Sequence, residues 1–177
     1  TRANTYNIER YPYSDTTPQL LASCGYDVFS FHGNSGDFYQ RRDAYEKMGF
    51  TDIYFRRELE EHFALPTEGW GIQDEEVLRI SAHELREATR PTCHFVITYT
   101  THTPYTQLPR DQNEIYPDPQ TTAERYLNSM RYFDNCLRDY VTALGSGTTL
   151  FLYSDHPTEL FDGYTSEITS ELNTVSA

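Results

Sequence analysis

The strongest constraint in this sequence is that short runs, apolar at consecutive positions, alternate with segments of helical periodicity. YDVFSFHG (26–33) and the first half of CHFVITYTTHTPY (93–105) carry apolar or aromatic residues side by side rather than at every second place. Such a strand has to be covered on both faces, the condition met inside a parallel sheet. TDIYF (51–55) and TTLFLYSDH (148–156) read as two further strands. Between them lie three helical segments, 37–49, 74–88 and 121–145. Their apolar stripes are Phe38, Tyr45 and Met48, then Val77, Ile80, Ser81, Leu85 and Ala88, then Tyr126, Met130, Phe133, Leu137, Tyr140 and Leu144. Gly49 and Gly145 are the expected stops and Asp74 the expected N-cap of the second helix. Residues 109–120 read as a loop, and the tail after His156 has weak periodicity. Strands separated by helices of this length predict an α/β fold, a mostly parallel sheet with helices on both faces.

A chain of 177 residues suits one domain with a real core. Its net charge of -13 repels phosphate backbones and argues against nucleic acid as a partner, although one basic residue in a pocket still holds an anion locally. The mean hydropathy of -0.69 and the lack of a long apolar stretch predict no membrane span within the chain, and TRANTYNIERYPYS has no apolar core for a secretory leader. Cys24, Cys93 and Cys136 are too scattered for a disulfide framework or a zinc knuckle and read as buried free thiols.

In parallel sheets, ligands bind beyond the carboxyl ends of the strands. Three of the expected strands end in histidine-bearing polar residues: His32 in SFHGN, His102 in TYTTHTP, and Asp155 with His156 in LYSDHP. Asp155 and His156 are either turn residues or a carboxylate and imidazole presented to a divalent ion such as Mn²⁺ or Zn²⁺. His32 and His102 are either loop residues or donors to an anionic group. One of Arg41 and Arg42 is expected at the surface and the other against phosphate or sulfate oxygens. Trp70, between two glycines, is a packing anchor or a stacking surface. His62, His83 and His94 read as structural.

Taken in order, FSFHGNSGDFYQRRDAYEKMGF, GWGIQDEEVL, FVITYTTHTPY, YLNSMRYFDNCLRDYV and LFLYSDH resemble the extracellular catalytic domain of lipoteichoic acid synthases and related phosphoglycerol transferases. These belong to the sulfatase and alkaline phosphatase superfamily. The resemblance spans roughly residues 10–156 and implies that 1–177 is one partial catalytic domain of that fold. It implies metal-dependent transfer of glycerol phosphate from a phosphatidylglycerol-type lipid, an anionic head group, to a cell-surface polymer or glycan. The transfer would pass through a covalent threonine intermediate, on the outer face of a bacterial membrane. On matching positions, Asp155 and His156 become ligands of Mn²⁺, with Zn²⁺ or Mg²⁺ as alternatives. His102 contacts the phosphoryl group, and His32 and Arg41 hold phosphate oxygens, Arg41 being favoured over Arg42 by the register through Phe38 and Tyr45. Trp70 joins the substrate-binding set as a stacking surface. The family's nucleophilic threonine comes from a segment before the TPQLLASCGYDVF region, and Thr1, only 17 residues ahead of Pro18, is too close to be it, so the nucleophile is expected outside this chain. SDHPTEL also lacks the glycine that often follows the histidine. Two other readings stay open here: a sulfatase or phosphoethanolamine transferase of the same superfamily, and a non-catalytic anion-binding module.

Overall fold

Three parallel strands form the centre of the computed structural model, which describes residues 13–109 and 111–156. They are β1 (Asp27–His32), β2 (Asp52–Tyr54) and β3 (Thr92–Ile97), in the order β2-β1-β3. All six residues of β1 pair with β3, from Asp27 opposite Thr92 to His32 opposite Ile97. On its other edge Phe29 to Phe31 pair with Asp52 to Tyr54. Among the described residues five α-helices pack around the sheet: α1 (Thr17–Ser23), α2 (Arg41–Met48), α3 (Arg56–Phe63), α4 (Asp74–Glu87) and α5 (Thr122–Ala143).

The side-chain alternation of the strands assigns the helices to faces. Phe29, Phe31, Tyr54 and Val96 point to one face and pack with Leu59 of α3 and Val77 and Ile80 of α4. Phe31 stacks on Tyr54 with ring centroids 4.9 Å apart. Ile53, Phe95 and Ile97 point to the other face and meet Ala44 and Tyr45 of α2 together with Phe55. α5 forms an outer layer, setting Tyr132, Cys136 and Tyr140 against Leu78 and Ala82 of α4. The expected parallel sheet with helices on both faces is therefore present. α2 ends where Gly49 enters the left-handed region at φ 87°, which glycine adopts without steric cost.

The structure departs from the sequence reading in five places. Residues 148–156 are not a strand: the segment has no ladder partner among the described residues, and Phe151 is 81% exposed. An apolar run forms a strand only where a neighbour accepts its backbone bonds. Asp74 is the first residue of α4 rather than its cap, and its carboxylate bonds elsewhere. The buried side of α5 is Asn128, Ser129, Tyr132, Cys136 and Tyr140, and Met130 faces out. Polar Asn128 is buried because its Oδ1 accepts the N–H groups of Ile115 and Tyr116 and its Nδ2 donates to the carbonyl of Tyr116. Cys24 is exposed at the end of α1, a short helix with no buried residue, while Cys93 is half-buried and Cys136 buried. Finally, α1 was not expected, although Thr16 and Gln19 form its capping box. The tail after His156, Thr1 and Thr5 lie outside the described residues.

His94 is structural, as expected. Its ring lies 4.7 Å from that of Phe31, and its Nδ1 bonds Ser81 Oγ at 3.0 Å. Ser81 Oγ in turn bonds the Tyr140 hydroxyl at 3.2 Å, so one network ties β3, α4 and α5. Burial lowers the His94 pKa from 6.5 to about 4. Burial, with a contribution from Arg41, does the same to His32. Because the folded pKa lies below the unfolded one, the unfolded chain takes up the proton first. This stability is whole above pH 6.5 and is lost as the pH falls towards 4. Each histidine is expected to cost roughly 2 kcal/mol of stability between pH 7 and pH 5. Urea unfolding at the two pH values checks this, and equal midpoints would rule out two neutral buried imidazoles.

Candidate functional site

The carboxyl ends of the three strands share one edge, and two clusters stand on it. The first is built from β1 and α2. His32 closes β1 and is only 4% exposed. Its Nδ1–H donates to the Ile97 carbonyl at 2.9 Å, so the neutral ring keeps a lone pair on Nε2. Phe55 and Tyr99 lie edge-on to it, with centroids at 6.3 and 6.4 Å. Beyond β1 the chain turns sharply, with Tyr39 and Gln40 both at positive φ, and enters α2 at Arg41.

The two adjacent arginines part company there. Arg42 Nη2 donates to Glu58 Oε2 at 2.7 Å, and its guanidinium lies 5.3 Å from the Phe55 ring centroid. Arg41 Nε and Nη1 are buried with no hydrogen-bond partner among the described residues. A buried guanidinium whose donors are unmet carries a desolvation cost that an oxyanion relieves. The register argument for Arg41 over Arg42 thus has a physical counterpart. His32 is less simple: neutral, with Nδ1–H already committed, it cannot donate to an anion until Nε2 takes up a proton.

The second cluster is more exposed. The Trp70 indole lies 5.8 Å from the His102 ring, and the His102 ring lies 6.4 Å from that of His156. His102 Nδ1–H donates to the Thr103 carbonyl at 2.7 Å, which directs Nε2 away from the backbone. His156 Nε2 stands 3.7 Å from Asp155 Oδ2. A carboxylate and an imidazole side by side are the donor types a borderline divalent ion takes. They supply part of a coordination shell: no group of three such side chains close enough to hold an ion occurs among the described residues. Trp70 is 38% exposed.

A bracket joins the clusters. Ile72 N–H donates to the Gly33 carbonyl at 2.9 Å, directly after His32. The approach is so close that a Cβ on Gly33 would sit 2.0 Å from the Ile72 carbonyl oxygen, and one on Gly71 2.0 Å from that of Gly33. Trp70 N–H donates to Gln107 Oε1 at 3.1 Å. Tyr99, which sequence reasoning passed over, packs between His32 and this bracket with its hydroxyl buried and unpartnered among the described residues. Its signal was available: an aromatic residue two places after a largely apolar strand.

A sulfatase-family model matches residues 1–174. The chain belongs to the sulfatase family. It is 28% identical over 165 residues to lipoteichoic acid synthase of Staphylococcus saprophyticus, covering 88% of this chain and 25% of that protein. It is also 28% identical over 124 residues to the lipoteichoic acid synthase-like protein YvgJ of Bacillus subtilis, covering 67% and 20%. This sulfatase-family chain therefore spans about a quarter of the length of the curated relatives it matches. Among solved structures it is similar to the lipoteichoic acid synthase LtaP from Listeria monocytogenes, with a TM-score of 0.59 and 24% identity over 71% of this chain and 31% of that one. An alkaline phosphatase superfamily protein from Vibrio parahaemolyticus matches with a TM-score of 0.53 and 20% identity over 69% and 31%. The chain shares its fold with both structures. No helix among the described residues is long and apolar enough to cross a membrane.

All six expected site residues thus lie in the two clusters, Asp155 and His156 in a bend of an irregular segment rather than at the end of a strand. Arg41→Ala is expected to weaken binding of inorganic phosphate by roughly tenfold or more, the scale of a lost charge-assisted bond. Arg42→Ala is expected to keep that affinity and to lower the melting temperature, because Glu58 loses its partner. Calorimetric titration and thermal melts of both variants separate the roles, and equal affinity losses would refute the assignment.

Proposed function

We propose that this chain is part of the catalytic domain of a phosphoglycerol transferase, which moves glycerol phosphate from a phosphatidylglycerol-type lipid to a cell-surface polymer or glycan. The observation that carries the reading is half-buried Arg41, whose Nε and Nη1 are buried and unmet among the described residues and which is close enough to His32 to help lower its pKa. Kinship with lipoteichoic acid synthases supports the choice of a phosphodiester over a sulfate ester.

In this reading Arg41 takes the phosphate oxygens, and the charge on the phosphate draws a proton onto His32 Nε2, converting an acceptor into a second donor. His102 approaches the phosphoryl group from the other cluster through Nε2, held in that tautomer by its bond to the Thr103 carbonyl. Trp70 offers a stacking surface beside it. Asp155 and His156 would hold a divalent ion, Mn²⁺ first and Zn²⁺ or Mg²⁺ as alternatives, with further donors from elsewhere in the domain. Such an ion supplies positive charge to phosphoryl oxygens and lowers the pKa of a coordinated hydroxyl. The attacking group is a threonine hydroxyl that becomes glycerophosphorylated, and it is assigned to no residue of this chain. The domain works on the outer face of a bacterial membrane, where both lipid head group and acceptor are found.

Two measurements test the reading. The domain, given phosphatidylglycerol vesicles and Mn²⁺, is expected to release diacylglycerol, and Asp155→Ala or His156→Ala to abolish both Mn²⁺ binding and release. Release of sulfate from an aryl sulfate, or of ethanolamine phosphate from its lipid, without diacylglycerol from phosphatidylglycerol would move the chain to another branch of the superfamily. Proton uptake by His32 adds a pH dependence. Affinity for glycerophosphoglycerol, a diester whose own charge is constant in this range, is expected to rise as the pH falls from 7 towards 5. His32→Gln would remove that slope, and a flat profile in the native chain would exclude His32 from the anion site.

A further inference from the structure

Asp74 is fully buried at the start of α4, and the function proposed above makes no use of it. Among the described residues every hydrogen bond it accepts comes from the chain just beyond β3. Tyr99 N–H reaches Oδ1 at 3.0 Å and Oδ2 at 3.1 Å, Thr100 N–H reaches Oδ2 at 2.9 Å, and the Thr100 hydroxyl also bonds Oδ2. The turn it grips carries His102, whose N–H donates to the Tyr99 carbonyl at 2.9 Å, while Tyr105 N–H donates to the His102 carbonyl at 3.0 Å. Asp74 also follows directly on Ile72 and Gln73, the end of the bracket that bonds Gly33 and holds Trp70. One short segment, 68–74, therefore touches the chain beside His32, carries Trp70 and holds the turn of His102.

We infer that Asp74 is a positioning residue, which sets His102 against Trp70 and at a fixed place relative to His32 and Arg41. The inference rests on the reading of His102 as a phosphoryl contact. The chemistry demands a carboxylate: two oxygens, both pure acceptors, face two amide N–H groups and a hydroxyl. The amino end of α4 adds partial positive charge at the same point. An asparagine would keep one acceptor and turn an NH₂ group towards the other donors, so D74N would leave a buried amide facing N–H. Burial raises the Asp74 pKa, and the bonds from Thr100 and Tyr99 work the other way, with no lysine or arginine bonded to it among the described residues.

The test reads position and binding separately, on the full 177-residue chain. In the native chain, with the two rings 5.8 Å apart, nuclear Overhauser contacts are expected to join the Trp70 indole to the His102 imidazole. D74N is expected to lose them while the Ile72 amide keeps its slow exchange, and to bind sn-glycerol 1-phosphate at least tenfold more weakly. A role limited to stability would lower the melting temperature and leave the Trp70–His102 contacts intact. T100V removes only the hydroxyl donor. It is expected to speed exchange of the Tyr99 and Thr100 amides, to keep the ring contacts and to weaken binding by twofold to fivefold, and it carries the test if D74N does not fold. A folded D74N with native ring contacts, or T100V with unchanged amide exchange, overturns the inference. A native chain that does not bind sn-glycerol 1-phosphate overturns the functional reading instead, and the ring contacts still decide the role of Asp74.

Discussion

Everything on the site edge depends on the parallel pairing of β1 with both neighbours. Parallel strands present their carboxyl ends together, so three separate stretches of chain arrive at one edge without any of them being designed to meet. Phe31, wholly buried between β2 and β3, fixes the register that makes this true. A slip of one residue would send Phe29 and Phe31 to the face of α2 and carry His32 off the bond it makes with the Ile97 carbonyl.

The electrostatics of the edge run against those of the whole molecule. A chain of net charge -13 has no long-range attraction for a phosphate, so affinity has to come from local desolvation and donor geometry. Arg41 and Arg42 show how fine that distinction is. Neighbours on one helix turn, one is satisfied by Glu58 and the Phe55 face while the other has two buried donors left over. The difference lies in what each side chain meets, since residue type and exposure class are the same.

The bracket at 68–74 solves a related problem. Loops beyond parallel strands are free to diverge, and a site made from two of them needs a third piece of chain to hold their separation. Gly33 and Gly71 allow two backbones to touch, and Asp74 ties the same segment to Tyr99 and Thr100. Rigidity here comes from backbone hydrogen bonds made at close range, which side-chain packing alone would not supply.

How much of this was legible beforehand differs by residue. The apolar runs around Phe31 and Val96 and the periodicity of α4 declared a parallel sheet between helices, because burial on two faces favours apolar residues at both parities. The strand-end histidines and the Asp155–His156 pair were legible as candidates, since ligand-bearing residue types at strand ends are few. Residues 148–156 misled, because an apolar run states only that burial beside a partner would be favourable, and among the described residues this one has no such partner and stays exposed. Asp74 misled for the opposite reason: a helix-start aspartate looks like a cap whatever its carboxylate bonds. Thus the sequence by itself determined the fold class, the three paired strands with α2, α4 and α5, and the chemical types at the site edge, all set by local periodicity and side-chain chemistry. Only the tertiary structure decided which arginine is left unmet, which tautomer His32 holds and what Asp74 grips, because each depends on contacts between residues far apart in the chain.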